Sequence, residues 1–258
     1  MKVLVIKCGG SIIDELADSF FESIRDLQDN QFKILFVHGG GPDINAMLKQ
    51  NGIESVFKSG LRKTTDEVLE VVELMLAGKS NRSLVHKLQQ NKINAIGLNG
   101  SDAKLLTGEF VNELVLGSVG EVVKVNTELL LQFLEADICP VLTPMAISTC
   151  GRKLNVNADM AAGAVAVALH ADMCLFVTDV SGVMKDNKLL AELTAEDTQA
   201  LIKEGSIYGG MIPKVTTALS VLNTGNNDVM IVSGKECFFQ DHQFIGTKFY
   251  KEEGRVLL

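Results

Sequence analysis

The sequence predicts an α/β protein whose central sheet is mostly parallel and covered by helices. Short apolar runs alternate with segments of helical periodicity, which is the pattern of strands joined by helical crossovers. The chain has 258 residues, of which 47 % are hydrophobic. That length and composition can build one large domain or two lobes that share a sheet.

The first half of the chain alternates predicted strands with predicted helices. Strands are predicted over KVLVIK (2–7), KILFVH (33–38) and INAIGL (93–98). Helices are predicted over DELADSFFESIRDLQDN (14–30), GGGPDINAMLKQ (39–50) and DEVLEVVELMLAGKSNRSLVHKLQQ (66–90), the last with a break at Gly78. In the first helix, Leu16, Phe20, Ile24 and Leu27 share one face and predict its buried side.

The second half begins with segment 104–125, in which apolar and polar residues alternate more regularly and glycines mark turns. This pattern predicts β-hairpins. Further strands are predicted over DICPVL (137–142), DMCLFV (172–177) and DVMIVS (228–233). Helices are predicted over ADMAAGAVAVALH (158–170), AEDTQALIKEG (195–205) and PKVTTALSVLNTG (213–225). We place a lobe boundary near residue 172, which gives an N-terminal lobe of 1–171 and a C-terminal lobe of 172–258.

Four predicted strands end in a similar way. LVIK leads to CGGS, LFVH to GGGP, LFVT to DVSG and MIVS to GK. Ligands of open parallel sheets lie beyond the carboxyl ends of the strands, and glycines let backbone N–H groups approach them closely. One such turn is ordinary, but four in one chain favour a phosphate or carboxylate site.

Composition argues against several classes of partner. The net charge of -8 and the 5 % aromatic content, without Trp, disfavour nucleic acid and anionic membranes. We find neither an apolar run long enough to span a membrane nor a secretory leader, and we expect a cytoplasmic protein. The five cysteines include no C-x-x-C pair. Cys139 and Cys174 are predicted core residues, whereas Cys8 is either partly exposed or, the favoured reading, a neutral spacer.

Several familiar motifs fail on inspection. AGKS (77–80) resembles the end of a phosphate-binding P-loop, but Glu73 occupies the position of its first glycine. SGKE (233–236) fails as a P-loop because Glu follows Lys235, and the two glycine turns near the N-terminus lack the G-x-G-x-x-G pattern of a dinucleotide-binding turn. The four histidines show no metal-ligand spacing, and no G-x-S-x-G sequence occurs.

Four charged residues remain as candidates. Lys7 ends the first strand, Arg62 lies in a turn before a helix, and Lys214 begins a helix after two glycines. A cation at a helix start opposes the helix dipole, which suits a site that binds an anion. Asp159 lies in the first turn of its helix, where capping and function are about equally supported.

Six segments together resemble the amino-acid kinase family. They are IKCGGS (6–11), VHGGGPDIN (37–45), GLRKTTDEVLEVVE (60–73), LNVNADMAA (154–162), TDVSGV (178–183) and GGMIPKV (209–215). They occur in the family's order, and the best match is to the branch that acts on N-acetyl-L-glutamate. Cys8, where small aliphatic residues are usual, and the looser segment 97–106 depart from the pattern.

The resemblance implies an open αβα sandwich of two lobes, the first binding the acylated amino acid and the second ATP. It implies MgATP-dependent phosphorylation of the side-chain carboxylate of N-acetyl-L-glutamate in arginine biosynthesis, with Mg²⁺ carried by ATP. Lys7 and Lys214 would be the transition-state cations, and Asp159 would orient both. The substrate would be held by Gly40, Gly41, Arg62 and Asn155. The nucleotide would be bordered by Gly9, Gly10, Asp179, Val180, Ser181, Gly182, Val183, Met184, Tyr208 and Gly210.

Elementary chemistry agrees with this reading. A carboxylate nucleophile is already ionised at pH 7, so no catalytic base is needed. Two alternatives stay open: a sibling kinase, for example one acting on an aminoadipate derivative, and a non-catalytic amino-acid or nucleotide sensor. By analogy with the family we expect a homodimer, with VLEVVELMLAG (68–78) as a plausible interface. Because the first strand begins at Lys2, we also expect no inhibition by arginine.

Overall fold

The computed structural model describes residues 1–225 and 228–251. Its helices are α1 Asp18–Asp29, α2 Gly41–Gln50, α3 Asp66–Glu73, α4 Asn81–Gln90, α5 Glu113–Leu116, α6 Thr127–Glu135, α7 Ala158–Ala168, α8 Ala195–Lys203 and α9 Met211–Thr224. Two 3-10 helices cover Ile13–Glu15 and Asp102–Lys104, and a π-helix covers Leu74–Ser80. No helix in these two described ranges is long and apolar enough to cross a membrane.

Most strands belong to a central sheet or to a small barrel. The strands are β1 Lys2–Cys8, β2 Phe32–His38, β3 Phe57–Lys58, β4 Leu61–Arg62, β5 Ala95–Asn99, β6 Leu106–Phe110, β7 Val119–Val125, β8 Cys139–Thr143, β9 Met145–Ser148, β10 Lys153–Val156, β11 Met173–Thr178, β12 Met184–Lys185, β13 Lys188–Leu189, β14 Glu192–Leu193, β15 Asp228–Ser233, β16 Phe239–Gln240, β17 Gln243–Phe244 and β18 Thr247–Phe249.

The central sheet has eight strands in the order β14-β18-β15-β11-β1-β2-β8-β5. Six neighbouring strands, from β15 to β5, run parallel, and β18 joins β15 antiparallel. Apolar clusters cover both faces of the sheet. The predicted α/β class with a mostly parallel, helix-covered sheet is confirmed.

The four strands that share a glycine-rich ending are neighbours in this sheet. The order β15-β11-β1-β2 places their carboxyl ends side by side, because all four are parallel. β1 runs through the centre and pairs with both β11 and β2. The sequence therefore correctly predicted one edge of the sheet at which these turns meet.

A second β-structure was only half predicted. β6 and β7 form the expected antiparallel hairpin, with the short helix α5 between them. They also close a four-stranded barrel with β9 and β10. Closure depends on the parallel pairing of β6 with β9, which joins residues about 40 positions apart, and local alternation carries no signal for it.

Two local expectations changed in the structure. The helix predicted over 66–90 is not broken at Gly78 but runs from α3 through the π-helix into α4. A π-turn widens a helix without ending it, so glycine is accommodated there. Cys8 is fully buried, which excludes the partly exposed alternative and raises the pKa of its thiol to about 12.

The chain crosses from one half of the sheet to the other at residue 172. The backbone N–H of Asp172 donates to the carbonyl of Val3 at 2.8 Å, and the Asp172 carboxylate accepts from the Val3 N–H at 2.7 Å. These bonds fix the start of β11 beside β1, so the sheet continues across the predicted lobe boundary.

Candidate active site

Lys7 and Asp159 form the centre of the candidate site. Lys7 lies near the end of β1, where its neighbours Ile6 and Cys8 are fully buried. Its Nζ is 2.8 Å from Asp159 Oδ1 in the first turn of α7, and the two side chains are 16 % and 25 % exposed. An ion pair this sheltered is screened less by salt than a surface pair and holds both groups in place.

The first turn of α7 shows that Asp159 is not the helix cap. The side-chain oxygen of Asn157 accepts hydrogen bonds from the N–H groups of Asp159 and Met160, at 2.9 and 3.2 Å. Asn157 is thus the capping residue. The carboxylate of Asp159 is left to face Lys7.

The glycine turns after β1 and β2 pack directly against each other. A Cβ on Gly10 would lie 2.7 Å from Gly40 Cα. The backbone of one of the two turns would have to move to relieve that contact. A Cβ on Gly40 would in turn lie 2.8 Å from Ser80 Oγ. Gly41 has open space around it and begins α2. Glycine is therefore required by backbone packing at Gly10 and favoured by close side-chain packing at Gly40, whereas Gly41 leaves room beside the helix N-terminus.

Arg62 is a largely buried cation, 8 % exposed, on the β3–β4 hairpin. Its guanidinium stacks over the Phe57 ring at 4.6 Å and donates to Ser55 Oγ. Desolvation by burial lowers the pKa of Arg62. The described residues place no carboxylate in an ion pair with it. A buried guanidinium without an acidic partner suits an anionic ligand.

Asn155 is positioned by a short polar chain. Its amide donates to Thr64 Oγ1 at 3.0 Å, and that hydroxyl donates to the Arg62 carbonyl at 2.7 Å. Asn155 thereby joins β10 of the barrel to the strand that carries Arg62. One chain of hydrogen bonds therefore ties the Asn155 side chain to the backbone of Arg62.

Lys214 does not have the predicted partner. Its ammonium group pairs with the carboxylate of Asp179, and no ion pair joins it to Asp159, although both residues lie in the described part of the chain. Asp179 directly follows β11, and the Lys214 ammonium group donates a hydrogen bond to its carboxylate. This hydrogen bond lowers the pKa of Asp179. The prediction that Asp159 holds both lysines is wrong for Lys214 in this structure.

Two cavities meet at the Lys7–Asp159 pair. The larger, about 370 Å³, is lined by the glycine turns, Arg62 and Asn155 as well as by Lys7 and Asp159. The smaller, about 190 Å³, is lined by Lys7, Asp159 and Lys214. Because Lys7 and Asp159 border both, the pair stands where a ligand in one cavity would face a ligand in the other.

The predicted nucleotide residues divide into exposed and packed groups. Asp179, Met184 and Tyr208 are exposed, and Gly210 directly precedes α9 with open space around it. Gly182 and Val183 serve packing instead. A Cβ on Gly182 would lie 2.5 Å from Thr247 Oγ1, and the Val183 N–H donates to the same oxygen at 2.8 Å.

The other predicted nucleotide residues lie at the same edge of the sheet. Val180 is fixed by Thr178, whose hydroxyl accepts from its N–H and donates to its carbonyl. Ser181 donates to Glu236 at 2.6 Å. Gly9 has the Lys7 ammonium group 3.8 Å from its ideal Cβ position, and both Gly9 and Gly10 line the larger cavity.

Sequence reasoning did not single out three residues that support this site. Ser55 accepts a hydrogen bond from the Arg62 guanidinium, and Thr64 donates one to the Arg62 carbonyl. His38 is hydrogen-bonded to Gly39 in the glycine turn after β2. A histidine between a buried strand and three glycines was the one available signal for His38. Small hydroxyl residues in loops offered none.

Several known proteins are similar to this chain in architecture and in sequence. Residues 2–233 match the Amino acid kinase family. The chain belongs to that family. An acetylglutamate kinase of Bacillus licheniformis is 48 % identical over 99 % of both chains, and one of Geobacillus kaustophilus is 49 % identical over 99 % of both. The crystal structure of smu.665 from Streptococcus mutans UA159 superposes with a TM-score of 0.81 at 30 % identity, over 96 % of this chain and 98 % of that one.

The match to the amino acid kinase family covers residues 2–233 of this chain. Both acetylglutamate kinases align with 99 % of this chain, and this chain covers 99 % of each of them. The site described above lies within the residues that the family match covers.

Proposed function

We propose that this chain transfers the γ-phosphoryl group of ATP to the side-chain carboxylate of N-acetyl-L-glutamate, in arginine biosynthesis. The observation that carries the proposal is the Lys7–Asp159 pair shared by two cavities. Acetylglutamate kinases that match this chain over almost its full length support the choice of substrate.

The acid occupies the larger cavity, formed by the N-terminal lobe of residues 1–171. Arg62 offers a fork of N–H donors to its α-carboxylate, since planar guanidinium groups bind carboxylates in a bidentate manner. Asn155 is placed to bind the polar acetyl amide. Gly41 leaves open space for the side-chain carboxylate beside the start of α2, and Gly40 lines the same cavity. The acetyl group blocks the amine that would otherwise attack the new acyl phosphate.

ATP binds to the C-terminal lobe, residues 172–258, along the surface from Asp179 to Met184 and near Tyr208 and Gly210. Its phosphates extend toward the smaller cavity and Lys214. Mg²⁺ accompanies the phosphates of ATP and supplies positive charge to them.

The transfer needs positioning and charge rather than a proton acceptor. A carboxylate oxygen of the acid forms a bond to the γ-phosphorus as the bond to the β,γ-bridging oxygen breaks, and ADP leaves with that electron pair. Lys7 neutralises charge on the phosphoryl oxygens while Asp159 holds its ammonium group in place. Lys214 exchanges Asp179 for the phosphates of ATP. Preorganised cations of this kind account for most of the catalysis of phosphoryl transfer.

We also propose a cytoplasmic homodimer. The face of α3 and the π-helix carries Leu74, which is 60 % exposed, beside the half-buried Val71 and Ala77 at helical spacing. An apolar stripe on an otherwise charged helix suits burial against a second copy.

Hydroxylamine trapping tests the reaction. Protein, MgATP and hydroxylamine are incubated with N-acetyl-L-glutamate, N-acetyl-L-aspartate, N-acetyl-L-aminoadipate or L-glutamate, and hydroxamate is measured. We expect hydroxamate to form best with N-acetyl-L-glutamate and to disappear with Lys7→Ala. A preference for the aminoadipate derivative would indicate a sibling kinase. No hydroxamate with any acid would favour a sensor and refute the proposal.

A further inference from the structure

His38 is a fully buried histidine to which the proposed reaction assigns no step. It is the last residue of β2 and stands directly before Gly39. The other three histidines of the chain, His86, His170 and His242, are exposed. Desolvation by burial lowers the pKa of His38 to about 4. A neutral imidazole in a core costs less than a charged one, but each of its nitrogens still requires a partner.

The partners of the two ring nitrogens define its tautomer. Nδ1 lies 2.9 Å from the carbonyl oxygen of Gly39, which can only accept, so Nδ1 carries the proton. Nε2 lies 3.1 Å from the side-chain nitrogen of Asn81, which can only donate, so Nε2 accepts. The ring is thus held from both sides in its neutral Nδ1–H form.

The orientation of the Asn81 amide is itself fixed. The same nitrogen donates to the Val141 carbonyl in β8 at 2.8 Å, and its oxygen accepts from the Arg82 guanidinium. A flipped amide would set its oxygen against the Val141 carbonyl and its nitrogen against Arg82. The chain of donors therefore runs in one direction, from Arg82 through Asn81 and His38 to Gly39.

The end of this chain is the glycine turn that lines the larger cavity. The Gly39 N–H donates to the Cys8 carbonyl at 2.9 Å, and Gly40 packs against Gly10. Gly39, Gly40 and Gly41 all border the cavity that also contains Lys7. The turn is held by the hydrogen bond to Cys8 at the end of β1 and by the hydrogen bond from His38. These bonds matter because a glycine backbone has wide conformational freedom.

We infer that His38 is a positioning residue: its Nδ1–H bond to Gly39 holds the glycine turn in the place from which Gly40 and Gly41 contact the acid. The inference takes the identity of the acid from the proposed function, whereas the geometry around His38 does not depend on that proposal. Asn81 acts through His38, because it fixes which nitrogen carries the proton.

Two substitutions separate the two nitrogens. In His38→Asn the side-chain amide can replace the Nδ1 donor to Gly39, whereas in His38→Gln the amide oxygen can replace the Nε2 acceptor. We expect His38→Asn to keep kcat/KM for the acid within about threefold and His38→Gln to lower it at least about tenfold, the effect of one hydrogen bond. The KM for ATP should stay within about twofold in both. His86→Asn, on the exposed face of α4, is the matched control and should equal wild type.

The tautomer is measured independently by ¹⁵N NMR of the wild-type protein at pH 7, in the absence of substrate. We expect one histidine with a protonated Nδ1 and a bare Nε2, whose signals vanish in His38→Asn. The inference would be overturned if the NMR spectra showed a protonated Nε2 or a charged ring. It would also be overturned if both variants lost kcat/KM equally and in proportion to their loss of melting temperature. If the wild type shows the expected tautomer but phosphorylates no acid, the proposed function fails and the geometry of His38 stands.

Discussion

Lys7 Nζ lies 2.8 Å from Asp159 Oδ1, and this ion pair borders both cavities of the site. Asn157 caps α7, so Asp159 is free of that structural duty. Lys7 belongs to β1 and Asp159 to α7, and both elements carry buried residues beside the pair. Its geometry is therefore rigid, which is what stabilisation of developing charge requires.

Asp159→Asn should separate positioning from folding. The side chains are nearly isosteric, but the amide cannot neutralise Lys7 or hold its charge in place. We expect kcat to fall by about 10²- to 10³-fold, the scale of one lost preorganised electrostatic contact. The melting temperature should change little, because the cap at Asn157 remains. Steady-state kinetics and thermal melts measure the two effects.

The double variant Lys7→Ala with Asp159→Asn provides the control. Residues that act as a unit lose less together than the product of their separate losses. Because Lys214 pairs with Asp179 instead, combining Asp159→Asn with Lys214→Ala should be closer to additive. Near-normal turnover in Asp159→Asn would remove Asp159 from the mechanism.

Arg62→Ala should weaken binding of the acid much more than binding of ATP. Loss of a charge-assisted pair should cost about 2–3 kcal/mol in kcat/KM for the acid, or roughly 30- to 160-fold. Arg152→Ala is a matched control, since Arg152 also stacks over a phenylalanine, Phe110 at 4.6 Å, but lies on the exposed side of the barrel. A tenfold rise in the KM for ATP with an unchanged KM for the acid would contradict the assignment.

The parallel strands could be predicted because their evidence is local. Four apolar runs ending in glycine or small residues required buried strands whose carboxyl ends meet. The barrel could not, since the pairing of β6 with β9 depends on packing between distant segments. The same reason explains the missed contact of Lys214. Its partner, Asp179, is 35 residues away and is set by where α9 begins relative to β11.

The residues assigned to the acid are grouped more closely in the structure than those assigned to the nucleotide. Gly40, Arg62 and Asn155, which the family resemblance assigned to the acid, line one cavity, and their role in binding it stays a prediction. Gly182 and Val183 looked similar in sequence, yet their neighbours are Thr247 and a buried core. A glycine that permits close packing and one that admits a ligand have the same sequence signal. His38 gave no spacing signal, because its distant partner, Asn81, lies 43 residues away in α4.

The stability of the wild type should depend on pH through His38. Its pKa is lowered from 6.5 to about 4 in the folded protein, with Arg82 the charged neighbour that adds to the effect of burial. Below pH 6.5 the unfolded chain binds this proton and the folded protein does not, so stability is present above that pH and is lost as the pH falls toward 4. From pH 7 to pH 5 the loss attributable to His38 should be about 2 kcal/mol.

Comparison with His38→Asn isolates this contribution, because all other titrating groups are shared. Urea unfolding at pH 7, 6 and 5 gives the free energy of unfolding for each protein. We expect the wild-type curve to fall more steeply, so that the difference between the two proteins narrows toward pH 5. Parallel curves would show that His38 binds its proton equally in the folded and unfolded states, which would contradict a lowered pKa.

Leu74→Glu should convert the proposed dimer into monomers. Leu74 is 60 % exposed on the π-helix, and a carboxylate there would be desolvated without a partner if that face were an interface. In a monomer the same change is a surface substitution and should alter the free energy of unfolding by no more than about 0.5 kcal/mol. Leu114→Glu is the matched control, because Leu114 is 99 % exposed on a different helix, α5. Light scattering at several protein concentrations measures the mass of each protein. A dimer that survives Leu74→Glu but not Leu114→Glu would move the interface to α5, and a monomeric wild type would refute the dimer altogether.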